Sequence, residues 1–181
     1  AFPAVTQVAA DMLFLGKIRP PHPWSRAERV SGGMAAVDVD QPAGACLMVA
    51  RTALESLGGF DEAFAPAWFE DVDLCRRIRN QGGRIQHQPA ARFLHHGGYS
   101  LRSLSRQDFL TFFHTNQIRY FRKHFGPKKA SSVRRLIALG LFLRSALSLA
   151  HAPEPGASRT SAAKAYWTAA RRILDTREVD L

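Results

Sequence analysis

The chain has 181 residues, 46% of them hydrophobic, which allows one domain or a little more with a real core. Two cysteines, Cys46 and Cys75, make no disulfide framework and neither lies in a CxxC, which argues against zinc or redox use and suits a reducing compartment. The net charge of +10 is uneven: residues 1–100 hold ten Lys/Arg and ten Asp/Glu, whereas residues 101–181 hold fifteen against five, so the C-terminal part calls for an anionic partner such as a membrane surface, nucleic acid or phosphorylated substrate.

The chain begins AFPAVTQVAADMLFLG, without an initiator Met or a basic n-region. No signal peptide is read there, and a fragment of a longer protein is expected. Val5, Val8, Met12 and Leu15 fall near one face and predict a helix over 1–16. RPPHPWSR and SGG make 17–36 a loop. VDVDQPAGACLMVA (37–50) starts with period-2 alternation, is interrupted at Pro42–Gly44, and ends in an apolar run. It predicts a strand, a break, then a buried strand or strand–helix junction. RTALESL (51–57) is a short helix stopped by Gly58-Gly59. The spacing of Leu74, Cys75 and Ile78 predicts a helix over 70–81, with Arg76, Arg77 and Arg79 mostly solvated and Gly82-Gly83 as its stop. RIQHQPAARFLHH supplies one or two short strands broken by Pro89. Helices follow over 104–124, 131–150 and 161–174, separated by GPKK and by the linker HAPEPGASRTS.

WFEDVDLCRRIR (68–79) packs Glu70, Asp71 and Asp73 into four positions. Acids in a first helical turn satisfy exposed N–H groups and the dipole, and an N-cap Asp is stabilising by ~1 kcal/mol. A cap needs one acid rather than three. Trp68 and Phe69 would also border the carboxylates with apolar surface, which raises a pKa and tunes a base. Both readings stand at this level. In FLHHGGYS, His95 and His96 precede a glycine pair, either as a turn or as imidazole ligands beside a close backbone approach. ALESLGGFDEAF reads as a structural turn with Phe60 and Phe64 as core pegs. The DVD at 38–40 is plain strand alternation rather than a metal motif. KKASSVRRLIALGLFLRSALSLA is too short and too charged in its apolar part to span a bilayer. It suits either core packing or an interfacial position beside anionic lipid.

Taken in order, GACLMVARTALESLGGFDEAFAPAWFEDVDLCRRIRNQGGRIQHQPAARFLHHGGYS resembles the acceptor-side half of family 2 glycosyltransferases, most of all the bacterial rhamnosyltransferase type that builds cell-wall and surface polysaccharides. A Gly-Ala strand, a GGFDE turn, an ED-x-DL-x-R helix, a Pro-Ala strand and an H-x-G-G-x-S segment occur in the family's order and spacing. The match covers about 37–125. IRYFRKHFG is similar to the family's basic segment after the catalytic core.

The resemblance implies an α/β fold, a partial GT-A (Rossmann-like) domain in its acceptor-side half, followed by C-terminal helices. The corresponding organisation is 1–36 as a connecting segment, 37–125 as the half-domain and 126–181 as a basic helical region. It implies Asp71 as general base with Glu70 orienting or tuning it. Gly44 and Ala45 would lie against donor and acceptor, Trp68 would stack on sugar or pack in the core, and Asp73 and Arg76 would support the site from the helix side. His95, with His96 as the alternative, would complete the shell of a divalent metal (Mg or Mn) whose main DxD ligands are expected in an N-terminal half absent from this sequence. Implied partners are a nucleotide-sugar donor, dTDP-rhamnose among the candidates, a glycan or lipid-linked acceptor, and an anionic membrane surface. No nucleic acid is expected. The implied location is the cytoplasm, peripheral at the membrane face. Two rivals remain: a basic polyanion-binding module without enzymatic activity, and a metal-dependent hydrolase built on Asp71, Asp73 and His95.

Overall fold

A computed structural model describes residues 1–15, 35–94, 103–150 and 158–176. By their contacts they fall into two units, Ala1–Pro3 with Ile18–Tyr99 and Ala4–Lys17 with Ser100–Leu181. The helices are α1 (Val5–Met12), α2 (Arg51–Ser56), α3 (Glu70–Asn80), α4 (Arg106–Phe125), α5 (Pro127–Ala150) and α6 (Arg159–Asp175), and the strands are β1 (Val37–Asp38) and β2 (Gln86–His87).

In the first unit, glycine pairs set the path. Both short helices end in the same way. At the end of α2, Gly58 N–H donates to Glu55 O and Gly59 N–H to Leu54 O. At the end of α3, Gly82 N–H donates to Arg79 O and Gly83 N–H to Ile78 O. This is the Schellman pattern, which needs a left-handed residue just past the helix, and Gly58 and Gly82 supply it at φ +73° and +81°. Gly83 is also required for space, because a Cβ there would lie 2.6 Å from Ile78 Cγ2.

β1 and β2 form an antiparallel ladder with Val37 opposite His87 and Asp38 opposite Gln86. Val39 N–H extends it to Ile85 O. Asp38 accepts from Arg84 Nη2 and Gln86 Nε2 across the pair, and these bonds, Gln86 first and Arg84 second, hold its carboxyl below the usual carboxylate range. The expected strand thus shrinks to two residues before Pro42. The apolar run after it starts extended at Leu47 (φ −123°, ψ 121°), but it joins no ladder among the described residues and leaves Met48 97% exposed. The Rossmann-like layering therefore stays an expectation of the resemblance. Phe64, Phe69, Leu74, Cys75 and Ile85 are buried in this unit.

The second unit is helical. Ser105 caps α4: its Oγ accepts from Asp108 N–H and donates to Asp108 Oδ2, which also fixes that acid to face Arg172 at 2.8 Å. Gly126 (φ +84°) ends α4, yet the expected break over GPKK lasts only that residue. Pro127 opens α5 at the first helical position, where its missing N–H and fixed φ do no harm. Along α5, Val133, Ile137 and Leu141 are buried, and Ser145 Oγ donates to Ala163 O of α6. Small residues let the helices approach: a Cβ on Gly140 would lie 2.7 Å from Met12 Cβ of α1. Arg144 of α5 donates to Met12 O and Asp11 O, taking up carbonyls at the open end of α1, while its guanidinium lies over the Phe14 ring. Among the described residues, no helix is long and apolar enough to cross a membrane.

Candidate active site

The acidic segment sits at the start of α3. The residue at the N-cap position is Phe69, with a left-handed backbone (φ +72°), and Trp68 before it is left-handed too (φ +73°). Two consecutive bulky residues at positive φ are strained, and such strain persists only where the surroundings hold it. Here the anchor is Phe69, which is buried, while Trp68 is half-buried. The N-cap Asp considered for this segment is therefore not used, and the three acids occupy the first helical turn instead.

The three carboxylates face different surroundings. Asp71 Oδ1 accepts from Val72 N–H at 2.7 Å, satisfying one open donor of the first turn. Its other oxygen, Oδ2, accepts from Gly44 N–H at 2.6 Å, across 27 residues of chain. A Cβ at Gly44 would lie 3.1 Å from both Asp71 Cβ and Oδ2, so this approach leaves room for glycine and little more. Gly44 begins the short 3-10 turn Gly44–Cys46, so Ala45 follows directly on the residue that holds the carboxylate, at the surface.

Glu70 is half-buried, and its Oε2 is buried without a hydrogen-bond partner. Burial raises its pKa above 4.5, the Asp71 charge adds to the rise, and a hydrogen bond from its own backbone opposes it. Cys75, one turn along from Asp71, is fully buried, and burial with the Asp71 charge pushes its thiol up to about 11, which keeps it protonated and inert.

Asp73 points the other way. It is 0% exposed and accepts from Arg77 Nε at 2.8 Å, and Arg77 itself is only 17% exposed. Arg77 also donates from Nη1 to Leu57 O and from Nη2 to Gly59 O, each at 2.8 Å. Arg77 is thus no solvated helix residue: its fork clamps the Gly58-Gly59 turn onto α3. Sequence reasoning missed this, although the D-x-x-x-R spacing places the two side chains on one helix face. Asp73 is closed to any substrate by this arrangement, so it holds α3 rather than a ligand, and a hydrolytic site that includes it loses one of its three groups. Arg76 is half-exposed, with its guanidinium 5.0 Å from the Phe2 ring centre.

The structure therefore brings together Asp71, Gly44 and Glu70, and it separates Asp73 from them. His95 and His96 lie outside the described residues. Among the described residues, no three His, Cys, Asp or Glu side chains converge on a metal-holding group.

Over 89 residues the chain is 37% identical to the N-acetylglucosaminyl-diphospho-decaprenol L-rhamnosyltransferase of Mycobacterium tuberculosis strain CDC 1551 / Oshkosh, and equally to that of strain ATCC 25618 / H37Rv. The aligned stretch is 48% of this chain and 28% of each relative, so the chain matches less than a third of their length. No family model and no solved structure matches it. The chain is thus related, over about half its length, to a sugar transferase, which is the coarse form of the resemblance its motifs carry.

Proposed function

We propose that the chain is the acceptor-side part of an inverting, family 2-type glycosyltransferase that moves a sugar from a nucleotide-sugar, dTDP-rhamnose being the leading candidate, to a glycan or lipid-linked acceptor in cell-wall or surface polysaccharide synthesis. One observation carries the reading: Asp71, half-buried at the first turn of α3, is held by the N–H groups of Gly44 and Val72. A general base needs a fixed direction and a free lone pair, and each carboxylate oxygen has two lone pairs of which one is engaged here.

In this reading the acceptor hydroxyl gives its proton to Asp71 as its oxygen attacks the anomeric carbon. The new C–O bond forms on the face opposite the diphosphate. The bond to the leaving oxygen breaks with its electron pair going to the nucleoside diphosphate, so the anomeric centre inverts in one displacement. Glu70, its pKa raised by burial and by the Asp71 charge, lies beside the base and tunes it. Trp68 and Ala45 border the acceptor, and Arg76 supports the site from the helix.

The test is Asp71→Asn in the full-length protein. The amide oxygen can accept from the Gly44 N–H or the Val72 N–H but not from both, so the variant loses basicity and one of these two bonds. Transfer is expected to drop by roughly 10²–10⁴-fold while the chain still folds, its stability lowered by only ~1 kcal/mol for the lost bond. Near wild-type transfer by a folded Asn variant would remove Asp71 from the role of base.

A further inference from the structure

In the second unit the packing of α5 leaves one helical line open. Leu139, Leu143 and Leu147 recur at every fourth position and are 49%, 40% and 49% exposed, and they lie away from the buried Val133, Ile137 and Leu141. At roughly 100° per residue, Lys128, Ser132 and Arg135 fall on the same face one to three turns earlier, all exposed. α6 presents a matching line, Lys164, Trp167, Arg171 and Leu174, also exposed. Trp167 meets Phe142 of α5 edge to face at 4.8 Å, and Phe142 lies about 60° around the helix from Leu139. The two lines are therefore neighbours: an apolar centre of three leucines and a tryptophan, with Lys128, Arg135, Lys164 and Arg171 around it.

α5 holds no Asp or Glu. Its two remaining arginines are engaged elsewhere, Arg134 on Leu174 O and Thr176 O, and Arg144 on the end of α1. Asp108, an acid of the neighbouring α4, is tied to Arg172. On α6, Asp175 lies one turn on from Arg171 along the same exposed line and offsets that base, so the face is apolar at its centre and net basic at its rim through Lys128, Arg135 and Lys164.

We propose that this face docks on an anionic bilayer, with Leu139, Leu143, Leu147 and Trp167 in the headgroup–acyl boundary and the flanking bases at lipid phosphates. This deepens the reading above, because a lipid-linked acceptor is presented at such a surface. The combination decides between occupants. A second copy of the chain would bring basic rims together, which like-charge repulsion disfavours. A nucleic acid would use the bases and leave four large apolar side chains without a function. A bilayer uses both, and an aromatic ring at the edge of an apolar face suits the interface.

Sedimentation of the full-length protein with vesicles of phosphatidylcholine alone, and of phosphatidylcholine with phosphatidylglycerol, is the direct test. Binding is expected to the anionic vesicles only and to weaken with salt. Leu139→Ser/Leu143→Ser/Leu147→Ser should lower partitioning on the order of a hundredfold, since each half-buried leucine contributes to insertion. Lys128→Ser/Arg135→Ser should lower it about tenfold and flatten the salt dependence. Wild-type partitioning by both variants overturns the proposal. So does duplex DNA binding that is indifferent to the leucines, or a dimer broken by the leucine changes with no vesicle binding. Transfer to a water-soluble short-chain acceptor should survive the leucine changes while transfer to a vesicle-embedded acceptor falls. Vesicle binding by a wild-type protein that transfers to neither acceptor would leave docking intact and sink the transferase reading.

Discussion

Arg77→Met is the sharpest probe of what holds the site. The wild-type guanidinium has three partners: Asp73 Oδ2, Leu57 O and Gly59 O, each at 2.8 Å. Removing it takes the ion-pair partner from a carboxylate that is 0% exposed. Breaking a buried pair by deleting one partner costs about 3–5 kcal/mol. The two carbonyl bonds, nominally ~1.5–3 kcal/mol each with a charged donor, do not add in full, because water reaches carbonyls of a surface turn. A loss of about 4 kcal/mol is therefore expected, which at a urea slope of ~2 kcal/mol/M moves the midpoint down by ~2 M. Urea unfolding followed by tryptophan fluorescence measures it. A double-mutant cycle with Asp73→Leu gives the coupling: each single change leaves one ion of the pair without its counter-charge, the double change removes both, and the coupling should exceed ~2 kcal/mol. Arg77→Lys keeps the charge without the fork and should fall between the two. A loss under ~1 kcal/mol for Arg77→Met, or strictly additive single changes, refutes the clamp.

Gly44→Ala puts a Cβ 3.1 Å from Asp71 Cβ and Oδ2, so the carboxylate must yield by a few tenths of an ångström. Transfer by the full-length enzyme should fall about 10–100-fold in kcat with little change in unfolding midpoint, and unchanged kcat would show that the Gly44 contact does not aim the base. Glu70 has a folded pKa above 4.5, so its contribution to stability is full below that pH and is lost as pH rises through the raised value. Glu70→Gln should flatten the stability–pH curve over that rise; a curve identical to wild type contradicts the burial argument. His114 has the opposite sign. Burial lowers its pKa from 6.5 to about 4 against the raising effect of Gln117, so stability should decline as pH falls from 6.5 toward 4, and His114→Gln should remove that decline in acid unfolding titrations.

Local signals carried much of the sequence's information. The two Gly-Gly pairs announced helix ends because the Schellman pattern depends on backbone angles that almost any other residue resists, and both ends are where the pairs put them. The helix beginning at Glu70 was legible from its apolar spacing for the same local reason. Partnership across the chain was less legible. Arg77 looks like its neighbours Arg76 and Arg79 in sequence, and only the fold brings the Leu57 and Gly59 carbonyls to it. Of the segments expected over 37–50, the first strand is only Val37–Asp38, and in the break expected at Pro42–Gly44 the glycine serves the Asp71 contact rather than a ladder. Helix α5 was read with a break over GPKK because proline usually disrupts a helix interior, but at its first position proline is tolerated.

The run of three acids resolves by helix geometry. Asp71 and Asp73 are two residues apart, roughly 200° around the axis, so they cannot serve one face. Asp71 meets Gly44 at the surface, and Asp73 meets Arg77 in the interior. Arg77 carries the interior acid onward to the Gly58-Gly59 turn, which fixes the rotation of α3 about its own axis. Any turn of the helix that moved Asp71 away from Gly44 would tear Arg77 from its carbonyls. The left-handed pair Trp68-Phe69 fixes the entry of the same helix, with Phe69 buried as the anchor. Asp73 thus acts on the proposed chemistry without touching substrate: it is the far end of a lever that aims Asp71. Loss of Asp73 should therefore lower kcat as well as stability, whereas a merely structural acid would lower stability alone.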